Sequence, residues 1–179
     1  MGRTFKILSQ SGIWRCNILI FIIVGGVVEF DFSRLIKIVD ELCMEGIINA
    51  KEIKAQIGHS KYEPKCYNNY RFVDGEQFHK DIENADVIIT HGGVGTLVHA
   101  LKLKKKVIIF PRLQMYKEHL DNHQLEISKM YNHLGYCMLA TNKSELKDCI
   151  KNIENFSPKP FISNNSKMID IIISYLDSL

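Results

Sequence analysis

Short apolar runs alternate along the chain with segments in which apolar residues recur every three or four positions. The runs have the length and β-branched composition of buried strands, and the longer segments have the period of amphipathic helices. Strands are predicted over 17–24, 54–57, 71–73, 87–90, 107–110 and 136–139. Helices are predicted over about 33–45, 75–84, 96–102, 121–133 and 142–155. This alternation indicates an α/β, Rossmann-like domain with a doubly wound, mostly parallel sheet.

Polar residues mark the ends of these helices. Asp31 or Ser33 can cap the first helix, and Asn142 with Glu145 has the spacing of a capping box. Such caps satisfy the backbone N–H groups that the first turn of a helix leaves free. The apolar face of the helix over 121–133 is expected at Leu125, Ile127 and Met130.

A glycine-rich loop, H-G-G-V-G-T over 91–96, follows the fourth predicted strand. A strand, a glycine loop and a helix start together direct free N–H groups and a positive dipole end at an anion. The loop therefore predicts a phosphorylated ligand, with an ordinary strand-to-helix turn as the alternative. Its spacing matches neither the dinucleotide fingerprint nor the Walker loop. The loop over 111–122 follows the next strand, so both emerge at the sheet edge where ligands of such folds bind.

Composition and charge argue against nucleic-acid binding, a disulfide scaffold and a zinc site. The chain has 179 residues and a formal charge of +3, and it shows no basic stripe of the kind that binds nucleic acid. The lysines over 102–106 read as a solvated turn, with a contact to anionic lipid or a partner as the alternative. The five cysteines form no C-x-x-C pair, which favours reduced thiols over disulfides or a zinc site.

The most apolar run, 18–28, is too short to span a membrane, since a spanning helix needs about 20 residues. It is predicted to be a central strand; a signal peptide, with three basic residues before it, is the alternative. The chain is therefore divided into an N-terminal arm over 1–16, a Rossmann-like domain over 17–156 and a helical tail over 157–179. The tail has an apolar stretch over 168–176, expected to pack on the sheet or to dock on a partner or membrane.

Several motifs in order resemble the glycosyltransferase family 28 C-terminal domain over roughly 17–150. More closely, the chain resembles the small soluble subunit of two-subunit glycosyltransferases. These include the bacterial capsule and exopolysaccharide galactosyltransferase type and the eukaryotic subunit that adds the second GlcNAc to dolichol-diphosphate-GlcNAc. The matching stretches are F-S-R-L-I-K-I-V-D-E-L (32–42), Q-I-G-H-S-K-Y-E-P-K (56–65), 85–96, 107–112 and E-H-L-D-N-H-Q-L-E (118–126). The second and last favour the bacterial branch.

The resemblance implies a UDP-sugar site. The glycine loop would hold the diphosphate, and the D-N-H-Q turn over 121–124 would face the sugar and phosphates. His91 would add a hydrogen bond or a positive charge to the leaving UDP. The implied contacts are Gly25, Gly26, His59, His91, Gly92, Gly93, Val94, Gly95, Thr96, His99, Asp121, Asn122, His123 and Gln124.

The chain departs from the family pattern in two places. The family's first loop usually reads G-T-H, and here it reads G-G-V-V-E over 25–29. Glu29 is then the nearby candidate for the catalytic base, with His91 as a second catalytic candidate. His99 occupies the position of a ribose-binding carboxylate, and an ordinary helix-surface role is the alternative. The chain has no D-x-D motif, so we expect neither a metal requirement nor another cofactor.

By resemblance, the domain is the donor-binding half of a GT-B enzyme. The implied reaction is inverting transfer, with galactose favoured, from a UDP-sugar to a lipid-diphosphate-linked acceptor in capsule or exopolysaccharide synthesis. The implied partner is a membrane-attached, acceptor-binding subunit that places the chain at the cytoplasmic face of the membrane. A UDP-GlcNAc-using subunit, a non-catalytic enhancer of a partner transferase and an epimerase-like enzyme are the alternatives.

Overall fold

The computed structural model describes residues 18–26 and 28–162. Its strands are β1 (Ile20–Ile23), β2 (Ile53–Gln56), β3 (Asn68–Tyr70), β4 (Val87–Thr90), β5 (Lys106–Ile109) and β6 (Met138–Leu139). Its α-helices are α1 (Ser33–Met44), α2 (Gly75–Asn84), α3 (Val94–Lys102), α4 (His123–His133) and α5 (Lys143–Asn152). Short 3-10 turns cover Ala50–Glu52 and Gln114–Tyr116.

The strands form one parallel sheet in the order β3-β2-β1-β4-β5-β6. The first strand lies in the middle, with Ile20 opposite Ile53 of β2 on one side and Val87 of β4 on the other. All four residues of β1 are buried, as a strand covered on both faces requires. The doubly wound, Rossmann-like sheet and the central position of the apolar run are therefore confirmed.

Two apolar cores lie on opposite faces of this sheet. On one face, Ile20 and Ile22 pack in a cluster with residues of α1 and α5, such as Leu35 and Leu146. On the other face, Phe21 and Ile23 pack in a cluster with α2 and α3 residues, such as Ile82, Leu97 and Ala100. Alternate side chains of β1 thus anchor helices on both sides, which fixes the loops at the strand ends.

Two sequence predictions are wrong in detail. The third strand is Asn68–Tyr70 and not 71–73, because these three residues pair with β2 in a register that begins with Asn68 opposite Lys54. The other error concerns the packed face of α4.

Helix α4 buries a polar stripe, Gln124 and Ser128, while Met130 is about half exposed. The Ser128 hydroxyl donates to the Gln124 carbonyl, and its oxygen lies 3.1 Å from where a Cβ on Gly92 would be. The predicted stripe of Leu125, Ile127 and Met130 is therefore not the buried face.

The start of α5 follows the predicted capping chemistry, whereas the N-cap residue of α1 is Phe32, which makes no side-chain cap hydrogen bond. The Asn142 side chain accepts a hydrogen bond from the Glu145 N–H, and the Glu145 carboxylate reaches back to the N–H and hydroxyl of Thr141. Asp31 accepts from both the N–H and the hydroxyl of Ser33 at the start of α1.

The described part of the C-terminal segment returns to the domain. Phe161 packs against Tyr131 and Tyr136, and the Lys159 N–H donates to the Gly135 carbonyl. The arm over 1–16 and the helix predicted over 168–176 lie outside the described residues. Within the described ranges, no helix has both the length and the apolar character to cross a bilayer.

Candidate functional site

The candidate site lies where the order of strands reverses. From β1 the chain proceeds to β2 on one side, and from β4 it proceeds to β5 on the other, so the loops after β1 and β4 border a crevice. Ligands of open parallel sheets bind at this place, beyond the carboxyl ends of the strands. The loop after β1 begins with Gly25 and Gly26, and the loop after β4 is His91, Gly92 and Gly93.

Glycines of both loops enclose the imidazole of His91. Gly25 has φ +76°, and a Cβ built on it would lie 2.8 Å from Cε1 of His91. A Cβ built on Gly93 would lie 2.6 Å from Nε2 of the same ring. Real Cβ atoms do not come so close, so both positions require glycine for His91 to keep its place. The two predicted loops therefore form one unit with His91 between them.

The start of α3 presents free backbone donors to the same crevice. Gly92 has φ +89°, a conformation that suits glycine, and it turns the chain from β4 into the helix. Gly93 precedes the helix without a side-chain cap, which leaves the first N–H groups of α3 without a side-chain acceptor. Val94 and Gly95, the first two residues of the helix, are exposed. This is the geometry that binds phosphate.

The ring of His91 is neutral at physiological pH. Burial, and then the positive charge of Arg112, lower the pKa of His91 to about 4. Its Nδ1 lies 3.4 Å from the Ile23 carbonyl oxygen and 3.5 Å from Oγ1 of Thr90. The sequence resemblance implies either a hydrogen bond or a positive charge from His91. Without a bound anion, the neutral ring contributes the hydrogen bond and not the charge.

His91 is expected to make folding stability depend on pH. The unfolded chain protonates this side chain near pH 6.5, while the folded state resists protonation down to about pH 4. The contribution of His91 to the free energy of unfolding is therefore complete above about pH 6.5 and declines as the pH falls towards 4. Between about pH 7.5 and 4.5, the wild-type chain should lose about 2–3 kcal/mol more of its unfolding free energy than His91→Asn.

Urea unfolding of both proteins at the two pH values measures this difference. The other titrating groups are common to both chains, so they cancel in the comparison. Equal losses of stability in wild type and His91→Asn would show that His91 is not held neutral by the fold.

Hydrogen bonds from its own side chains stabilise the turn that carries the D-N-H-Q residues. Asp121 accepts from the His123 N–H and contacts its Nδ1, and these hydrogen bonds lower the pKa of Asp121. The Asn122 side-chain oxygen accepts from the Gln114 N–H at 3.1 Å. The buried Gln124 oxygen accepts from the Arg112 N–H at 3.3 Å. Both amides thus use their oxygens on the protein, and their NH₂ groups are the donors available to a ligand.

One group of side chains in the described part of the chain has ligand atoms close enough to hold a metal ion. His119, Asp121 and His123 each offer one atom, and these atoms lie within 4.8 Å of one another. Two imidazoles and a carboxylate suit zinc or a similar divalent ion. Asp121 and His123 are exposed, and the hydrogen bonds inside the turn account for the arrangement without an ion.

Three other predicted residues, His59, Glu29 and His99, form no hydrogen bond with the ring of His91 among the described residues. His59 is exposed and packs on Phe72, with ring centroids 4.9 Å apart, at the same edge of the sheet. Glu29 is exposed and makes no hydrogen bond with the described residues.

His99 lies on α3 beside another helix. Its Nε2 is 3.4 Å from Nδ1 of His79 on α2, and the ring centroids are 4.8 Å apart. The ring is half-buried, as the helix-surface alternative expects, and the ribose contact stays a prediction.

Arg34, Arg112 and Glu118 were not predicted. Arg34 binds both carboxylate oxygens of Glu118 at 2.8 Å and donates to the carbonyls of Pro111 and Thr141. Glu118 also accepts from the Leu113 N–H. The resemblance includes all three positions, but sequence alone does not distinguish a buried arginine from a surface one.

Comparison with known families decides the family of this chain. The model of the glycosyltransferase family 28 C-terminal domain matches residues 19–171. The chain belongs to this family. The match includes both loops of the crevice and the D-N-H-Q turn.

Curated relatives are named UDP-N-acetylglucosamine transferase subunit ALG13. The protein from Candida albicans is 32% identical over 99 residues, which are 55% of this chain and 32% of that protein. The human protein is 26% identical over 128 residues, covering 66% of this chain and 11% of the human protein. The matches thus span about a third or less of these two relatives.

Solved structures share the fold. A solution structure of ALG13 superposes with a TM-score of 0.56 at 17% identity, covering 86% of this chain and 94% of that one. A putative UDP-N-acetylglucosamine 2-epimerase from Listeria monocytogenes gives a TM-score of 0.59 at 13% identity, covering 91% of this chain and 46% of that one. At these identities the similarity concerns the fold alone.

Proposed function

We propose that this chain is the donor-binding catalytic subunit of a two-component inverting glycosyltransferase that uses a UDP-sugar. The observation that carries the proposal is the enclosure of His91 by two glycine loops at the reversal point of a family 28 sheet. The N–H groups at the start of α3 would bind the diphosphate and stabilise the charge that develops on departing UDP. The neutral ring of His91 donates from Nδ1 to the Ile23 carbonyl, so its Nε2, which faces both loops, would donate to the diphosphate only when the bound anion favours protonation of the ring.

The transfer needs an acceptor hydroxyl placed behind the anomeric carbon and a base to remove its proton. The curated relatives are named as subunits of a transferase, and we propose that a second, membrane-attached polypeptide binds the lipid-diphosphate-linked acceptor. Holding both substrates in line is itself a large part of catalysis. Glu29, exposed after β1, is the proposed base within this chain. The complex would then work at the cytoplasmic face of the membrane.

Two donor sugars have support. The names of the curated relatives favour UDP-N-acetylglucosamine. The resemblance of the motifs over 56–65 and 118–126 to the bacterial capsule and exopolysaccharide branch favours UDP-galactose. No side chain of the site selects between them, so the donor is a question for measurement.

Calorimetric titration of the purified chain tests the proposal. The ligands are UDP, UDP-galactose, UDP-N-acetylglucosamine, UDP-glucuronate and ADP, in buffer without metal. We expect binding that is selective for uridine, and the ranking of the three UDP-sugars identifies the donor. Equal affinity for ADP and UDP would contradict a uridine-specific donor site.

The second candidate function is a non-catalytic subunit that activates a partner transferase. The first loop without its usual histidine and the packing of His99 against His79 favour it. Such a subunit should bind none of the nucleotides, alone or together with its co-expressed partner. Binding that appears only with the partner would instead indicate a donor site that the partner completes.

We expect UDP binding to be independent of divalent metal. The helix N-terminus supplies the positive potential that a metal would otherwise provide. Titrations with EDTA and with added magnesium should give the same dissociation constant. An increase in affinity with zinc that disappears in His119→Ala would contradict this and would implicate the group of His119, Asp121 and His123.

A further inference from the structure

Arg112 is a buried cation that connects three segments of the candidate site. It follows β5, and its side chain is only 2% exposed. Nη2 donates to the carbonyl of Val24, the residue before Gly25, at 2.8 Å. Nη1 donates to the carbonyls of Phe30 at 3.0 Å and Glu118 at 3.3 Å. One guanidinium therefore joins the beginning and the end of the loop after β1 to the start of the D-N-H-Q turn.

The backbone of Arg112 adds a fourth connection, because its N–H donates to the side-chain oxygen of Gln124. The guanidinium also packs over the ring of Phe32, with its carbon 4.8 Å from the ring centre. These contacts fix its position but supply no negative charge.

Among residues 18–26 and 28–162, no carboxylate forms a hydrogen bond with this guanidinium. Glu118 directs both of its oxygens to Arg34 and to the Leu113 N–H. Asp31 uses its oxygen on Ser33 and on the Lys61 N–H. Nε of Arg112 is buried and has no hydrogen-bond partner in the described part of the chain. A buried charge whose direct partners are neutral carbonyls is costly.

The electrostatic influence of this charge reaches the site. Burial lowers the pKa of Arg112, and the more distant charges of Glu118 and Asp31 oppose that shift. Arg112 and His119 are the charged or titratable groups that lower the pKa of His91, after burial. Positive potential from Arg112 is thus present at the ring between the glycine loops.

We propose that Arg112 is a positioning residue of the donor site. Its buried cation fixes the loop after β1 relative to the D-N-H-Q turn and provides positive potential for the diphosphate. This inference rests on the proposed function for the identity of the anion. The incoming diphosphate would supply the negative charge that the surroundings of Arg112 lack. Arg112 does not touch the ligand; it acts through the loops and through its field.

The test compares uridine, UMP and UDP as ligands of wild type, Arg112→Met and Arg112→Lys. Methionine removes the charge and the hydrogen bonds, whereas lysine keeps the charge. We expect Arg112→Met to weaken UDP binding about tenfold or more, UMP binding less and uridine binding least. Arg112→Lys should keep the wild-type ratio of UDP to uridine affinity. Lys129→Met, an exposed change on α4 with the same loss of net charge, should change none of the three.

NMR titration of His91 gives a second readout that needs no nucleotide. Its pKa should rise in Arg112→Met and stay low in Arg112→Lys. An unchanged His91 pKa in Arg112→Met, or an equal loss of affinity for all three ligands, would overturn the proposal. If wild type binds no nucleotide, either alone or with its co-expressed partner, the proposed function fails, and the His91 titration still decides whether the Arg112 field reaches the crevice. Should Arg112→Met not fold, Arg112→Gln takes its place in both measurements.

Discussion

Replacing Gly93 with alanine is expected to weaken UDP binding by about 100-fold or more and to lower the unfolding free energy by about 1–3 kcal/mol. The added Cβ would lie 2.6 Å from Nε2 of His91. Gly25 approaches the same Cε1–Nε2 edge of the ring, since a Cβ built on Gly25 would lie 2.8 Å from Cε1 of His91. Either the ring or the start of α3 must move, and both belong to the proposed diphosphate site. Calorimetry with UDP and urea unfolding measure the two effects.

Gly75→Ala is the matched control for this change. Gly75 is the first residue of helix α2, whereas Gly93 is the N-cap residue of α3, and a Cβ on Gly75 would have no atom within 4 Å. It should leave UDP affinity unchanged and keep or slightly increase stability. Wild-type affinity in Gly93→Ala would show that the enclosure of His91 is not part of the nucleotide site.

Arg34→Met is expected to destabilise the chain by about 3–5 kcal/mol, because it leaves a buried carboxylate without its partner. The Glu118 side chain is only 4% exposed and is bound through both oxygens to Arg34. Arg34 also joins the carbonyls after β5 and β6, so its loss loosens the turn before the D-N-H-Q residues. Urea unfolding near neutral pH gives the size of the loss.

The double variant Arg34→Met/Glu118→Met separates the ion pair from the packing around it. Removing the orphaned carboxylate should recover part of the stability that the single change loses. If the double variant is less stable than Arg34→Met by the full effect of Glu118→Met, the two side chains act independently. That result would contradict the coupling that their geometry implies.

The parts of this molecule that sequence predicts are those determined by local pattern. The run over 18–28 is recognisable because a strand buried on both faces has no polar residue in alternate positions. The glycine loop is recognisable because its turn and close approach demand glycine at Gly92 and Gly93. The third strand was misplaced because an edge strand of three polar and aromatic residues has no period.

The remaining features depend on partners distant in sequence. Helix α4 buries Gln124 and Ser128 because it packs beneath the glycine loop, a contact that its own periodicity does not contain. His99 faces His79 because of the way α2 and α3 pack. Arg112 is buried because carbonyls from residues 24, 30 and 118 converge on it. In each case the tertiary environment, and not the residue type, sets the role.

The central position of β1 has a consequence for synthesis on the ribosome. The apolar strand Ile20–Ile23 precedes its neighbours β2 and β4 in the chain, and Gly25 precedes His91 by 66 residues. At ~5–20 residues per second, the nascent chain carries this strand for roughly 3–13 s before the crevice can close around His91. During that interval the edge of β1 that pairs with β4 is open, and Phe21 and Ile23 lack the helix residues that cover them in the folded domain. We therefore expect nascent chains truncated before β4 to bind chaperones that recognise unfolded chains at the ribosome. Chains extended beyond β5 should release these chaperones.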